Sequence, residues 1–256
     1  MLIMGGCMKY LKHLQLWSRV VAVGSLALLA ACGGVSDSSK VTEPADVTNG
    51  NLTDSRDGKT YKTVTIGSQT WMAENLNYAD SANTPSLKGK SWCYNDSVAN
   101  CEAAGRLYTW AAAIDSVKLA NDASNPLDCG FGKTCGLSGK VQGICPSGWH
   151  LPSPAEWKTL FAAVGGQDNA GKVLKSQSGW DENGNGTDAY GFSARPVGYR
   201  EGDGYFYDGG KYAYFWCATE FTSGYANNMY LRYYYGDGYL YDFSKNNAFP
   251  VRCLKD

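Results

Sequence analysis

Twelve of the chain's eighteen tyrosines fall between Tyr199 and Tyr241, interleaved with glycine and aspartate. Aromatic side chains suit the pleated, half-buried surface of a strand, and Gly-Asp pairs suit the turns between strands. The runs GYREGDGYFYDGGKYAYFW and YLRYYYGDGYLYDF therefore read as short antiparallel strands broken by tight turns. GDGYFYDGG and GDGYLYDFS share a local pattern that marks two hairpin tips, with no fixed-period repeat.

The preceding half carries helix signals. Ser153-Pro154-Ala155-Glu156 is a capping box with proline at the first helical position. Trp157, Leu160, Phe161 and Val164 follow at core-facing spacing, and Gly165-Gly166 ends the run. A second helix is expected over Leu107–Leu119, with Leu107, Trp110, Ala111 and Ile114 inward. Thr60–Ile66 and Gln69–Ala73 read as two strands around Gly67-Ser68. Two helices ahead of irregular antiparallel strands make an α+β fold.

The N-terminus reads as an export signal. Residues 1–31 carry Lys9, Lys12 and Arg19 but no acidic residue, and VVAVGSLALLAA supplies an apolar stretch too short to span a bilayer, which needs roughly 20 residues. Leu29-Ala30-Ala31-Cys32 resembles the lipobox of bacterial lipoproteins, which implies acylation of Cys32 and anchoring to a membrane, the outer membrane or cell surface being the expected location. Residues 32–56 have few apolar side chains and read as a flexible tether; residues 57–256 are one domain. Removing three of the 23 basic residues and none of the 24 acidic ones leaves a net charge of −4, which gives no reason to expect nucleic acid.

Seven cysteines follow Cys32, and an exported chain meets an oxidising compartment. Local closure favours Cys93–Cys101 and Cys129–Cys135; Cys145 and Cys253 would then join the segment before the capped helix to the last strand. Cys217, within YAYFWCATE, reads as a buried free thiol, and no pair has the C-x₂-C spacing of a zinc site.

IGSQTWMAENLNY, WCYND, GRLYTWAAA, CPSGWHLPSPAEW, GTDAYGFSARPVGYR, FWCATE and VRCLKD occur in this order. Together they resemble the Fibrobacter succinogenes major paralogous domain family of exported bacterial proteins, over nearly all of residues 57–256. That family is similar to the formylglycine-generating sulfatase-modifying factors, whose fold resembles C-type lectins; HLPSPAEW is the counterpart of their R-L-P-T-x-x-E-W. The resemblance implies a C-type-lectin-like core with two helices, a small antiparallel sheet and long irregular Gly/Tyr-rich loops, disulfide-stapled. It also supports Cys145–Cys253 by position. Formylglycine-generating enzymes use a paired-cysteine copper site; Cys217 has no second cysteine near it in sequence, and pairing it with Cys253 would strip Cys145 of its partner.

No catalytic constellation is visible. His150 is the only histidine after Cys32, and hydrogen bonding to nearby backbone is its simplest role. Trp71, Trp92, Trp149, Trp157 and Trp216 are expected in the core, and Glu74, Glu156 and Glu220 lie within motif segments without a readable carboxylate pair. Asp181, Asn183, Asn185 and Asp188 copy the start of a calcium loop, but Phe192 stands where the closing glutamate belongs, so a polar turn competes with a structural calcium ion as the reading. No other cofactor is expected. Tyr205, Tyr207, Tyr233, Tyr234, Tyr235, Tyr239 and Tyr241 flank Gly-Asp turns and are the candidate ligand contacts, since tyrosine offers a flat apolar face and a hydroxyl at low entropy cost. The expected function is a surface-anchored, non-catalytic module for a polysaccharide or glycan, with an envelope structural or assembly protein binding another protein as the alternative and an enzyme related to the formylglycine-generating enzymes ranked behind both.

Overall fold

The structure is a computed structural model that describes residues 46–119 and 129–256. The expected signal, Cys32 and most of the tether lie outside these residues. Strand β1 (Val47–Thr53) pairs antiparallel with β2 (Thr60–Ile66), from Val47 opposite Ile66 to Thr53 opposite Thr60. β1 thus lies inside residues 32–56, the segment expected to be a flexible tether. Its side chains are exposed apart from half-buried Leu52, so a ladder of main-chain hydrogen bonds holds it, and side-chain patterning carries no trace of that.

The turn at Gly67, with φ 59°, leads into β3 (Gln69–Met72). After β4 (Ser91–Trp92) come α1 (Val98–Ala104), β5 (Leu107–Thr109), α2 (Trp110–Ala113) and α3 (Ser116–Leu119). The helix expected over Leu107–Leu119 is thus divided. Leu107–Thr109 is drawn into a sheet between β4 and a later strand, Thr109 Oγ1 caps α2 by accepting from Ala112 N, and Asp115 takes φ 53° between α2 and α3. A short apolar run fits strand or helix, and here the neighbouring strands decide.

Next are β6 (Trp149–His150), α4 (Pro154–Ala163) and α5 (Gln167–Leu174). Both halves of the capping box form: Ser153 Oγ accepts from Glu156 N, and Glu156 Oε2 accepts from Ser153 N at 2.7 Å. Trp157, Leu160, Phe161 and Val164 are buried as a stripe. The remaining strands are β7 (Tyr199–Arg200), β8 (Phe206–Tyr207), β9 (Tyr212–Glu220), β10 (Tyr225–Arg232), β11 (Gly238–Ser244), β12 (Ala248–Phe249) and β13 (Leu254–Lys255). The two Gly-Asp repeats turn between β7 and β8 and between β10 and β11, as their shared pattern suggested.

The strands form three sheets, ordered β1-β2-β3-β13-β6, β4-β5-β12-β7-β8 and β11-β10-β9, with antiparallel pairing throughout. The protein is therefore α+β, with few and short helices. The β9–β11 sheet divides the core. Successive side chains of a strand point to opposite faces; Tyr214 and Trp216 join Trp110, Tyr108 and Phe249 on one side, while Phe215 and Cys217 join Trp71, Trp157 and Phe192 on the other. Burial on both faces explains why YAYFWCA reads as an unbroken apolar run.

Cys93–Cys101, Cys129–Cys135 and Cys145–Cys253 are bonded as expected, and Cys217 is free and buried. Cys145–Cys253 ties the segment ahead of β6 to the chain just before β13, which lies between β3 and β6. Trp71, Trp149, Trp157 and Trp216 are buried; Trp92 is only half-buried, beneath the Arg200 guanidinium at 4.2 Å.

Candidate functional site: a tyrosine array on the central sheet

One face of the β9–β11 sheet carries rings in cross-strand register. Tyr230 on β10 stands opposite Tyr214 on β9 and Tyr239 on β11. Tyr230 and Tyr239 are stacked at 5.0 Å, Tyr212 and Tyr214 at 5.4 Å, and Tyr214 lies 5.8 Å from Tyr230. Tyr199 extends the array, 5.4 Å from Tyr214 and 5.7 Å from Tyr207. Tyr241 joins through Phe243, which packs against Tyr214. The inner end is anchored in the core by Phe249, stacked on Tyr214 and 4.3 Å from Trp216.

At the β10–β11 turn, Arg232 lies over Tyr239 at 3.9 Å and Tyr235 at 4.1 Å, and the Tyr233, Tyr234 and Tyr235 rings contact one another in turn. Cations attract the faces of aromatic rings, so Arg232 fixes the tyrosines around it. The turn backbone is held by a residue the sequence did not disclose. Lys175 is buried, and its ammonium donates to the carbonyls of Arg232 at 3.0 Å, Tyr233 at 3.2 Å and Tyr235 at 3.1 Å. Gly184 packs so closely on this turn that a Cβ there would meet Tyr233 O at 2.4 Å. Side chains held in place before binding lose less entropy on binding.

Of the seven tyrosines singled out from sequence, Tyr207, Tyr233, Tyr234, Tyr235, Tyr239 and Tyr241 join this array. Tyr205 is exposed but makes no ring contact among the described residues; its main-chain N–H donates to Asp203 Oδ1. Tyr207, Tyr234, Tyr235 and Tyr241 present the open surface, whereas Tyr233 and Tyr239 are half-buried supports. Tyr199, Tyr212, Tyr214 and Tyr230 belong to the array as well. The alternation Tyr212, Tyr214, Trp216 was the available signal. Burial, then hydrogen bonding with Tyr234, pushes the Tyr212 hydroxyl up to about 12; burial, then the Asp208 charge, also raises Tyr214, whose hydroxyl donates to Asp208 Oδ2 at 2.8 Å. These hydroxyls stay neutral, able to donate and accept, across the physiological range.

The other candidates take structural positions. His150 is buried, with Nδ1 2.8 Å from Asp256 Oδ1 and Nε2 2.9 Å from Glu156 Oε1, so its ring meets two carboxylates where backbone was expected. Burial pushes the Glu156 carboxyl up, but hydrogen bonds from His150 and Ser153 outweigh that and hold it at about 2. Ser153 Oγ donates to Glu156 Oε2 at 2.8 Å. Glu220 pairs with buried Lys245 and accepts from the main-chain N–H groups of Cys135 and Gly136, pinning the Cys129–Cys135 loop to β9. Burial pushes the Cys217 thiol far up, and Cys253, the partner a paired-cysteine site would need, is engaged with Cys145.

Three of the four candidate calcium ligands make local contacts. Asn185 Oδ1 accepts from Trp180 N at 3.1 Å, Asp188 accepts from Ser193 N at 2.7 Å and from its hydroxyl, and Asp181 faces Gly210. Glu182, Asn183 and Asp188 all have φ near +50 to +60°, as polar turns favour. Among the described residues no group of three His, Cys, Asp or Glu side chains is placed to hold a metal ion, and no helix is long and apolar enough to cross a membrane.

No curated protein and no solved structure matches the chain. The model of the Fibrobacter succinogenes major domain matches residues 64–255, from β2 to the last strand, and so takes in the whole tyrosine array and all three disulfides. The chain belongs to the Fibrobacter succinogenes major domain family.

Proposed function

We propose that this protein is a non-catalytic binding module, held at the outer membrane or cell surface through a lipid on Cys32, that takes a polysaccharide or glycan on the tyrosine array. The observation that carries this reading is the array itself: exposed Tyr207, Tyr234, Tyr235 and Tyr241 continue a line of rings anchored in the core, and Arg232 and Lys175 fix the turn from beside and below. A rigid aromatic surface with neutral hydroxyls suits sugar, whose C–H faces stack on rings while its hydroxyl groups exchange hydrogen bonds. The reading includes a C-type-lectin-like fold, supported by the Cys145–Cys253 tie between the segment ahead of α4 and the end of the chain.

The test is equilibrium binding of the full-length chain in detergent micelles to plant polysaccharides and bacterial glycans, with calcium and again with chelator. Saturable binding that weakens at least tenfold in Tyr234→Ala/Tyr235→Ala supports the reading, since well-placed interface tyrosines are each worth about 1–2 kcal/mol. Sensitivity to chelator would assign calcium to the Asp181–Asp188 loop. A folded, oxidised protein that binds no glycan but retains one envelope protein would replace the glycan with a protein partner.

A further inference from the structure

A second feature lies away from the tyrosine array, around Arg252. This residue precedes Cys253, is 1% exposed, and forms part of a cavity of about 270 Å³ beside β2, β3 and the end of α1. Its Nε donates to Asn75 Oδ1 at 2.7 Å, Nη1 to the carbonyls of Met72 and Phe192, and Nη2 to the carbonyl of Ser193 at 2.9 Å. All four acceptors are neutral. A guanidinium has five N–H donors, so one on Nη2 is left over. No carboxylate bonds Arg252 among the described residues; Glu74 and Asp188 act on its charge only from a distance. A buried cation without a contacting counter-charge is costly to keep.

A second guanidinium makes the imbalance larger. The side chain of Arg195, exposed at the edge of the same cavity, makes no hydrogen bond or ion pair among the described residues, and its charge acts against that of Arg252. Lys59 and Lys62 also line the cavity, against only two acidic residues, Glu74 and Glu102. This excess of positive charge stands on a chain whose net charge is −1. Lys59 is bound to Asp57 and to Asn77 O, whereas the Lys62 and Arg195 side chains are uncommitted.

The cavity continues at both ends. Ala104 and Arg195 are shared with a cavity of about 370 Å³ bordered by Tyr94, Asn100 and Gly210. Lys62, Ala73 and Gly191 are shared with one of about 310 Å³ bordered by Asn49 and Asn51 of β1. Three modest spaces in a row suit a linear chain better than a compact molecule. The exposed amide side chains of Asn49 and Asn51 at one end suit a hydroxyl-rich chain.

We propose that this groove binds a polysaccharide bearing carboxylate groups, with Arg195 and Lys62 taking a carboxylate above the buried charge of Arg252. The proposal does not depend on the tyrosine array, which uses other residues. Its probe is polygalacturonate, compared with the same polymer fully methyl-esterified and with poly-glutamate, against the full-length chain in detergent. Polygalacturonate binds saturably, weakens with added salt as charge pairing requires, and loses at least tenfold in affinity in Arg195→Gln/Lys62→Gln, while the ester binds at least tenfold more weakly than the acid. Tyr234→Ala/Tyr235→Ala leaves this binding unchanged, which separates failure of one site from failure of the other. The two substituted side chains carry no bonds in the fold, so an unchanged urea midpoint verifies that the variant is intact. Equal binding of acid and ester, no effect of the double substitution, no binding of polygalacturonate, or binding of poly-glutamate alone would each overturn the proposal.

Discussion

Cutting the Cys145–Cys253 bond should cost this protein about twice what cutting either of the other disulfides costs. The three bonds close loops of very different length, with sequence separations of 108 for Cys145–Cys253, 8 for Cys93–Cys101 and 6 for Cys129–Cys135. In the chain-entropy account a cross-link acts on the unfolded state, by a constant plus a term in the logarithm of loop length. For the long loop this gives about 5 kcal/mol at 25 °C, and for each short one about 2–2.5 kcal/mol. No other disulfide lies inside the long loop, so nothing else already restrains it. Both of its cysteines are fully buried, so replacement by alanine adds a small packing loss in the same direction. The assay is urea unfolding of Cys145→Ala/Cys253→Ala beside Cys93→Ala/Cys101→Ala. With a slope of about 2 kcal/mol per molar, the long-loop variant should unfold roughly 2.5 M earlier than the parent and its slope should steepen, because the released chain exposes more surface. A long-loop variant no less stable than the short-loop one would refute the reasoning.

Three further outcomes follow from particular side chains. Glu156 has a folded pKa of about 2 against an ordinary 4.5, so its ionisation stabilises the fold above pH 4.5 and that contribution disappears as pH falls from 4.5 to 2. Partial exposure limits it to roughly 1–2 kcal/mol; acid titrations should show the extra loss in the parent and not in Glu156→Gln, and parallel curves would contradict it. Lys175→Met leaves the carbonyls of Arg232, Tyr233 and Tyr235 without their shared donor, so it should cost about 2–4 kcal/mol and raise amide exchange across Tyr233–Tyr235; a variant as stable as the parent would be the contrary result. Asn228 is fully buried between Trp216 and Tyr241 in the sheet, with its amide oxygen and nitrogen both unpartnered, so Asn228→Val should raise stability by about 1 kcal/mol, read as a higher urea midpoint. A lower midpoint would show that the amide has a partner in solution.

Features written locally were legible. The capping box at Ser153, the stripe from Trp157 to Val164 and the two Gly-Asp hairpin tips each rest on residues a few positions apart. Likewise, six of the seven tyrosines chosen for their turns belong to one array. What escaped depends on distant partners. Strand β1 is held by main-chain bonds to β2, and the division of Leu107–Leu119 is imposed by β4 and β12. Helix α5 was hidden by Gly171 in its middle, which lowers helix propensity; the glycine is needed because a Cβ there would meet Asp237 O at 2.5 Å. Lys175 bonds carbonyls 57–60 residues away, and Arg252 bonds Asn75 across 177. Neither role leaves a mark in its own neighbourhood, and the groove around Arg252 was therefore invisible in the sequence.

The most direct test of the central claim is hydrogen-exchange mass spectrometry of the full-length protein, alone and saturated with the tightest-binding glycan of the panel. Binding on the tyrosine array predicts slowed exchange across Tyr230–Tyr241 and around Tyr207, with the His150–Glu156 segment unchanged. Protection confined to other segments, or none at saturation, would contradict the assignment of the array as the ligand face.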